Sequence, residues 1–407
     1  MIIDRKQQLL ILNGKVYSAK EIHEIACKIK AGVICLPADY APFEKGDDNT
    51  AYSNSDGTVK ESGSKLPSAR DLVKDIESRN IEAYRDLFPF LEQWFDDSSY
   101  IRVHTSGSTG KPKEQFVEKD RMTQSACMTG EYLQLQSDDT ALLCMNLRYI
   151  GAMMMVVRSL VFGLNLTVCS ASGHPLKNQP SIRFTAMVPL QVYNTLLEPD
   201  ECTRFKDTGI VLIGGGPVSP ELEEQLKSFP NAIYSTYGMT ETLSHIALRR
   251  LSGPSASQRY YPFQSVQLSL SPDNTLQIDA PRVVDGTLQT NDIARIYPDG
   301  SFTILGRKDN TINTGGVKVQ IEQLEKKLSG SIPMPFAITS TKDPKLGEKI
   351  VLLLEAEVYP AEIEAAVNEL LSPYERPKQI MCINKIPLTE NGKTDRAECK
   401  RIAAEKE

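Results

Sequence analysis

The chain has 407 residues, a formal net charge of −6, 41% hydrophobic and 24% charged residues. That length can bury a large core without disulfides or a structural metal, and at roughly 100–200 residues per domain it fits two or three domains. The acidic balance and the lack of a basic run argue against a nucleic-acid binder, and four histidines leave little room for a histidine-rich metal centre.

Eight scattered cysteines include no CxxC pair. They read as small buried hydrophobes in a reducing compartment, not as a zinc ribbon or a redox motif. The first residues, MIIDRKQQLLILNGK, lack the basic start, apolar core and cleavage site of a signal peptide. A cytoplasmic location is expected.

Residues 1–100 are weakly patterned. Residues 21–30 read as a helix and 47–68 as a polar surface loop. Residues 69–95 read as one or two helices, with Phe88, Phe90, Leu91, Trp94 and Phe95 as the apolar face. From residue 100 short apolar runs alternate with helical stretches. Strands are expected at Ile101–Val103 and over 141–146, 166–170, 184–188, 210–213 and 232–237, and helices over 150–162, 190–197 and 220–229. This alternation predicts a parallel sheet covered by helices, with ligands at the carboxyl ends of its strands. The apolar stretch 150–169 is not a membrane span. Arg158 in its middle would cost ~2.5–3.5 kcal/mol on insertion, and Gly163 and Asn165 divide it into a buried helix and a buried strand.

After residue 260 the runs shorten and alternate, with a hairpin turn at Pro298-Asp299-Gly300, which predicts a small antiparallel region. The segment 306–316, GRKDNTINTGG, is polar and glycine-rich and reads as a linker or hinge. Helices over 320–328 and 360–371 and strands over 350–358 and 379–384 then make a compact α+β unit. The expected fold class is α/β. A large N-terminal domain (1–308) of mostly parallel sheets carries a small antiparallel β region. A small mobile α+β C-terminal domain (309–407) follows it.

The strongest local signal is Thr105-Ser106-Gly107-Ser108-Thr109-Gly110-Lys111-Pro112-Lys113. Its hydroxyls, glycines and lysines suit a loop that wraps a polyphosphate. It is not a Walker A loop, because Thr105 stands where that motif needs glycine and Pro112 where it needs Ser or Thr. This loop resembles the phosphate-binding signature of the adenylate-forming superfamily, which holds acyl- and aryl-CoA synthetases, luciferases and peptide-synthetase adenylation domains. Tyr237-Gly238-Met239-Thr240-Glu241 is similar to its Y-G-x-T-E motif. Asp292 falls at the position of its ribose-binding aspartate. Gly306-Arg307-Lys308-Asp309-Asn310, followed by Gly315-Gly316, resembles its hinge. Asn391-Gly392-Lys393 resembles its catalytic-lysine loop. The motifs are collinear over residues 100–396.

The resemblance implies a role for each. Thr105, Ser106, Gly107, Ser108, Thr109, Gly110 and Lys113 would hold the ATP phosphates. Thr240 would donate to the α-phosphate, and Glu241 would hold Mg²⁺, which takes one or two carboxylates plus phosphate oxygens. Gly214, Gly215 and Gly216 with Tyr237 would line adenine; taken alone, Gly214-Gly215-Gly216-Pro217 equally reads as a tight strand–helix turn. Asp292 and Arg307 would take the ribose. Lys393 would bridge the attacking carboxylate and the phosphate in adenylation. Asp309 would be the pivot between domains, and Gly315 and Gly316 would face the CoA arm.

The short N-terminal region, the run 153–160 before Gly163 and the Gly214–Pro217 motif together resemble the o-succinylbenzoate–CoA ligases of menaquinone biosynthesis. That acid has a second carboxylate, which a cation facing its pocket would recognise. Arg158 is the candidate, and Ser235, Thr242, Ser244 and His245, the residues around the Tyr237–Glu241 motif, would form the wall of that pocket; the alternative is a structural arginine tied to a carboxylate such as Asp285 or to helix-end carbonyls. Arg148-Tyr149 stands where many relatives carry an aromatic-histidine pair, and Arg148 is a second candidate cation. The expected partners are a small carboxylic acid, ATP and CoA, with a homodimer as the assembly and neither nucleic acid nor an integral membrane segment. Three alternatives stand beside this reading: another aryl- or acyl-CoA ligase, which shares every nucleotide motif; a stand-alone adenylation enzyme, which would keep Lys393 but ignore CoA; and a non-catalytic nucleotide-binding relative, against which the intact Thr240, Glu241, Asp292, Arg307 and Lys393 argue.

Overall fold

A computed structural model describes residues 5–30, 84, 86–105, 113–358, 361–389 and 394–405. The expected 47–68 loop and most of the 69–95 helical segment lie outside them. The chain divides into two compact units, one running up to Val211 and the other from Leu212 onward.

In the first unit, β1 (Leu10–Leu12) and β2 (Lys15–Tyr17) form a hairpin. β3 (Tyr100–Thr105) and β4 (Lys113–Glu118) form a second, separate one. β5 (Thr140–Leu143), β6 (Asn165–Val168) and β7 (Phe184–Met187) are the parallel strands, and β6 also pairs in parallel with β1. The expected parallel sheet is therefore present. Its strands carry fully buried Leu12, Leu142, Leu166 and Phe184. The helix read at 150–162 is Ile150–Phe162, buried along most of its length. A helix at Lys119–Leu133 packs against it. The Leu87–Phe95 helix buries Phe88, Phe90, Leu91 and Trp94 as read, whereas Phe95, read on the same face, is only half-buried.

β8 (Ile210–Ile213), wholly buried, stands at the junction of the two units in sequence. In the second unit, β9 (Ala232–Gly238), β10 (His245–Arg250) and β11 (Tyr261–Pro262) run antiparallel. β12 (Gln267–Leu270), β13 (Thr275–Asp279), β14 (Thr287–Ile296) and β15 (Phe302–Arg307) make the predicted small antiparallel sheet. The helix read at 220–229 stops earlier, at Leu226.

The segment read as a linker differs. Lys308–Asn310 is a 3-10 turn, β16 is Thr311–Thr314, and β17 (Val317–Gln320) pairs back on it. Ile312 and Val319 are buried, so an apolar anchor hides inside a polar-looking stretch. β18 (Phe336–Asp343), β19 (Gly347–Glu355) and β20 (Gln379–Ile383) complete a five-stranded sheet with helices at Ile321–Leu328, Ala361–Leu370 and Arg396–Glu405. Among the described residues, no helix is long and apolar enough to cross a membrane.

Candidate nucleotide and acid site

β9 reaches its carboxyl end at Gly238, where the chain doubles back closely. A Cβ on Gly238 would lie 2.2 Å from the Ser244 carbonyl oxygen. Between them the 3-10 turn Thr240–Thr242 closes on itself: the Thr242 hydroxyl accepts from the Met239 N–H at 3.0 Å and donates to the Ser244 carbonyl at 2.7 Å. Thr242 is thus spent on shaping the turn, whereas the Glu241 carboxylate is exposed beside Thr240. This is the carboxyl-end position where ligands gather in open α/β sheets.

Tyr237, just inside that end, donates its phenol O–H to Asp292 Oδ2 at 2.6 Å. Arg307 Nη1 donates to Asp292 Oδ1 at 2.9 Å, and Nη2 to Asp309 Oδ2 at 3.1 Å. The register of β14 with β15 places Asp292 opposite Arg307. Burial, then the charge of Asp292, pushes the Tyr237 phenol well above its ordinary value, so it stays a donor at neutral pH. Burial works against the charge on Arg307, but Asp292 and Asp309 more than offset it and raise its pKa. Four of the residues expected at the nucleotide and the hinge are thereby joined in one hydrogen-bonded chain.

Two residues that the motifs do not contain support it. Tyr260 packs on Tyr237 at 5.8 Å and on Phe302 at 5.6 Å between ring centroids, and shares a 2.9 Å hydrogen bond with the hydroxyl of Ser235. Ser235, expected at the acid, is buried in that contact. Asn291 donates to Asp309. Neither belongs to a recognisable pattern, so no sequence signal marks them.

The glycine motif has structural reasons of its own. A Cβ on Gly214 would stand 2.6 Å from Thr236 Oγ1, and Gly215 has φ +80°. Gly315 and Gly316, at φ +60° and +82°, form the β16–β17 hairpin turn. His245 faces the Phe263 ring edge-on and its Nδ1 is 3.2 Å from Ser244 Oγ. Arg158, in the first unit, is 2% exposed, with Nη1 4.0 Å from Met155 Sδ. Burial lowers its pKa to about 9, which leaves it a cation at neutral pH. Arg148 is exposed.

Ser106, Gly107, Ser108, Thr109, Gly110 and Lys393 lie outside the described residues. Their flanks are fixed. Thr105 pairs with Lys113 in the β3–β4 register. Leu388 bridges Thr394, and Arg396 makes a two-pronged pair with Glu325, both contacts at 2.6 Å. Among the described residues no cluster of three or more His, Cys, Asp or Glu could hold a metal. Mg²⁺ bound by one carboxylate and phosphate oxygens needs no such cluster, and the exposed Glu241 suits that donor set.

Residues 8–286 match the family model of the AMP-binding enzymes. The chain belongs to the AMP-binding enzyme family. It is 34% identical to the crystal structure of an acyl-CoA synthetase (AMP-forming)/AMP-acid ligase II-like protein from Dyadobacter fermentans, with a TM-score of 0.55 over 80% of this chain and 95% of that one. Curated relatives include a probable 2-succinylbenzoate–CoA ligase from Mycobacterium tuberculosis, 26% identical over 74% of this chain and 84% of that protein. Another is the 2-succinylbenzoate–CoA ligase of Bacillus cytotoxicus, 23% identical over 75% and 70%. The fold is shared with the O-succinylbenzoate coenzyme A synthetase (MenE) of Bacillus subtilis in complex with ATP and magnesium ion, at a TM-score of 0.63 and 20% identity over 73% and 69%. This AMP-binding enzyme is an AMP-forming ligase.

Proposed function

We propose that the enzyme joins o-succinylbenzoate to CoA through an acyl-adenylate, as a cytoplasmic step of menaquinone biosynthesis. The observation that carries the nucleotide half is the Tyr237–Asp292–Arg307 chain beside the Thr240–Glu241 turn. The acid is supported by the names of the curated relatives and by the buried cation Arg158.

A carboxylate does not react with a thiol at neutral pH, because oxide would have to leave. Attack of one carboxylate oxygen on the α-phosphorus of ATP expels pyrophosphate and leaves an acyl-AMP. The CoA thiol then attacks its carbonyl carbon and AMP departs. Asp292, held at both oxygens, would accept hydrogen bonds from the ribose diol. The Thr240 hydroxyl would donate to the α-phosphate, where charge builds in the transition state. Mg²⁺, held by Glu241 and phosphate oxygens, would neutralise part of the triphosphate charge. Lys393 would offset repulsion between the two reacting anions. Arg158 would hold the second carboxylate of the acid. The C-terminal domain, 309–407, would pivot at Asp309 between the half-reactions and then present Gly315 and Gly316 to CoA.

The test is CoA-dependent AMP release across a panel of acids that includes o-succinylbenzoate, with ATP–pyrophosphate exchange beside it. Preference for o-succinylbenzoate supports the reading. Preference for another aryl or fatty acid overturns the substrate; exchange without CoA-dependent release points to a carrier-protein thiol; no exchange with any acid overturns the activity.

A further inference from the structure

Asp309 lies in the 3-10 turn Lys308–Asn310, between β15 and β16. Asn291 Nδ2 donates to both of its carboxylate oxygens, at 3.3 and 3.1 Å. Arg307 Nη2 donates to Oδ2 at 3.1 Å, while Nη1 of the same guanidinium holds Asp292 at 2.9 Å. One cation therefore serves two carboxylates. Asn291, next to Asp292 on β14, grips the second of them. The turn is tied on either side as well, through Lys308 to Asp273 at 2.7 Å and through Asn310 to Glu322 at 2.5 Å.

We propose that Asn291 is a positioning residue: with Arg307 it latches Asp309, and the latch tightens when a nucleotide diol occupies Asp292. The inference rests on the nucleotide reading of Asp292. Ribose hydroxyls that donate to Asp292 disperse part of its negative charge. The shared guanidinium then interacts more strongly with Asp309, and departure of the nucleotide relaxes it. The Asp309 side chain is 57% exposed. Exposed contacts shift an equilibrium only a few-fold, which suits a joint that must also open.

The test is amide hydrogen exchange over residues 308–314 in the full chain, with and without AMP, beside the rates of the two half-reactions. AMP should slow this exchange about two- to five-fold in the parent chain. Asn291→Ala should speed it without AMP and shrink the AMP effect. The same variant should shift the ratio of ATP–pyrophosphate exchange to acyl transfer from supplied acyl-AMP by about two- to five-fold. Asn291→Asp keeps the size but turns an oxygen toward Asp309, so it should exceed the alanine effect; a purely steric role would leave it near the parent. Unchanged exchange and an unchanged rate ratio in both variants overturn the latch. AMP that binds without slowing exchange overturns the linkage. If AMP does not bind at all, the nucleotide reading fails by itself, and the AMP-free exchange of the two variants still decides whether Asn291 holds Asp309.

Discussion

Tyr237 and Asp292 meet at 2.6 Å, phenol to carboxylate. With Arg307 on the other oxygen, the carboxylate is fixed in rotation before any ligand arrives. A pre-set acceptor loses less freedom on binding than a mobile one.

Tyr237→Phe keeps the ring and removes the donor. Ordering a freed side chain on binding costs about 0.5–1.5 kcal/mol, so the Michaelis constant for ATP should rise about two- to tenfold while that for the acid stays nearly level. Initial-rate kinetics check this, and an unchanged ATP constant would refute it. The pH behaviour follows from the raised pKa of the phenol. Stability from this contact is full below the unfolded tyrosine value of about 10 and declines above it. The phenylalanine variant should lack that alkaline decline.

Lys393→Ala should abolish acyl-AMP formation and leave thioester formation from supplied acyl-AMP largely intact. Pyrophosphate release and thioester formation, assayed separately, distinguish the two. Equal loss in both would remove the lysine from adenylation.

Arg158→Leu should raise the Michaelis constant for o-succinylbenzoate far more than that for ATP. A parallel rise in both would mark the arginine as structural, and a monocarboxylate analogue supplies the control. If Arg148 is the cation instead, Arg148→Leu shows the selective rise.

Lys119 is fully buried at the start of the Lys119–Leu133 helix, with Asp96 at 2.6 Å. Asp96→Ala strands the ammonium, at a cost of roughly 1–3 kcal/mol, because the carboxylate it removes is partly exposed. Lys119→Met should cost less, since charge and partner requirement vanish together. Burial lowers the lysine pKa despite Asp96. Folding therefore disfavours its charged form, and stability should rise with pH between the lowered folded value and the unfolded value of about 10.4. Urea midpoints across that window check the sign, and the methionine variant should show no such slope.

Runs such as Ile210–Ile213 were legible because every side chain in them is apolar and buried. β18 was not, because its interior carries Thr339, Ser340 and Thr341, hydroxyl residues that read as surface. Ser340 satisfies its hydroxyl on Glu348 at 2.9 Å, a partner no local pattern reveals. The Lys119–Leu133 helix hides likewise, with Thr123, Ser125 and Thr129 facing inward. Thr123 and Thr129 bond back to carbonyls four residues earlier. At the site, Tyr237, Asp292, Arg307 and Asp309 were each legible through a motif. Their union in one hydrogen-bonded chain was not, since it arises from the pairing of β14 with β15. Tyr260 and Asn291 owe their places entirely to tertiary packing.

Gly238 leaves no room for any side chain, so the backbone between it and Ser244 is effectively a fixed template. Variation at this turn would have to be made by exchanging side chains on an unaltered loop. His245 is buried against Phe263, so exchanging it would disturb the packing; a library that varies Ser244 while holding Gly238 would keep this template. One that lengthens the loop would separate Thr240 and Glu241 from the strand that carries Tyr237.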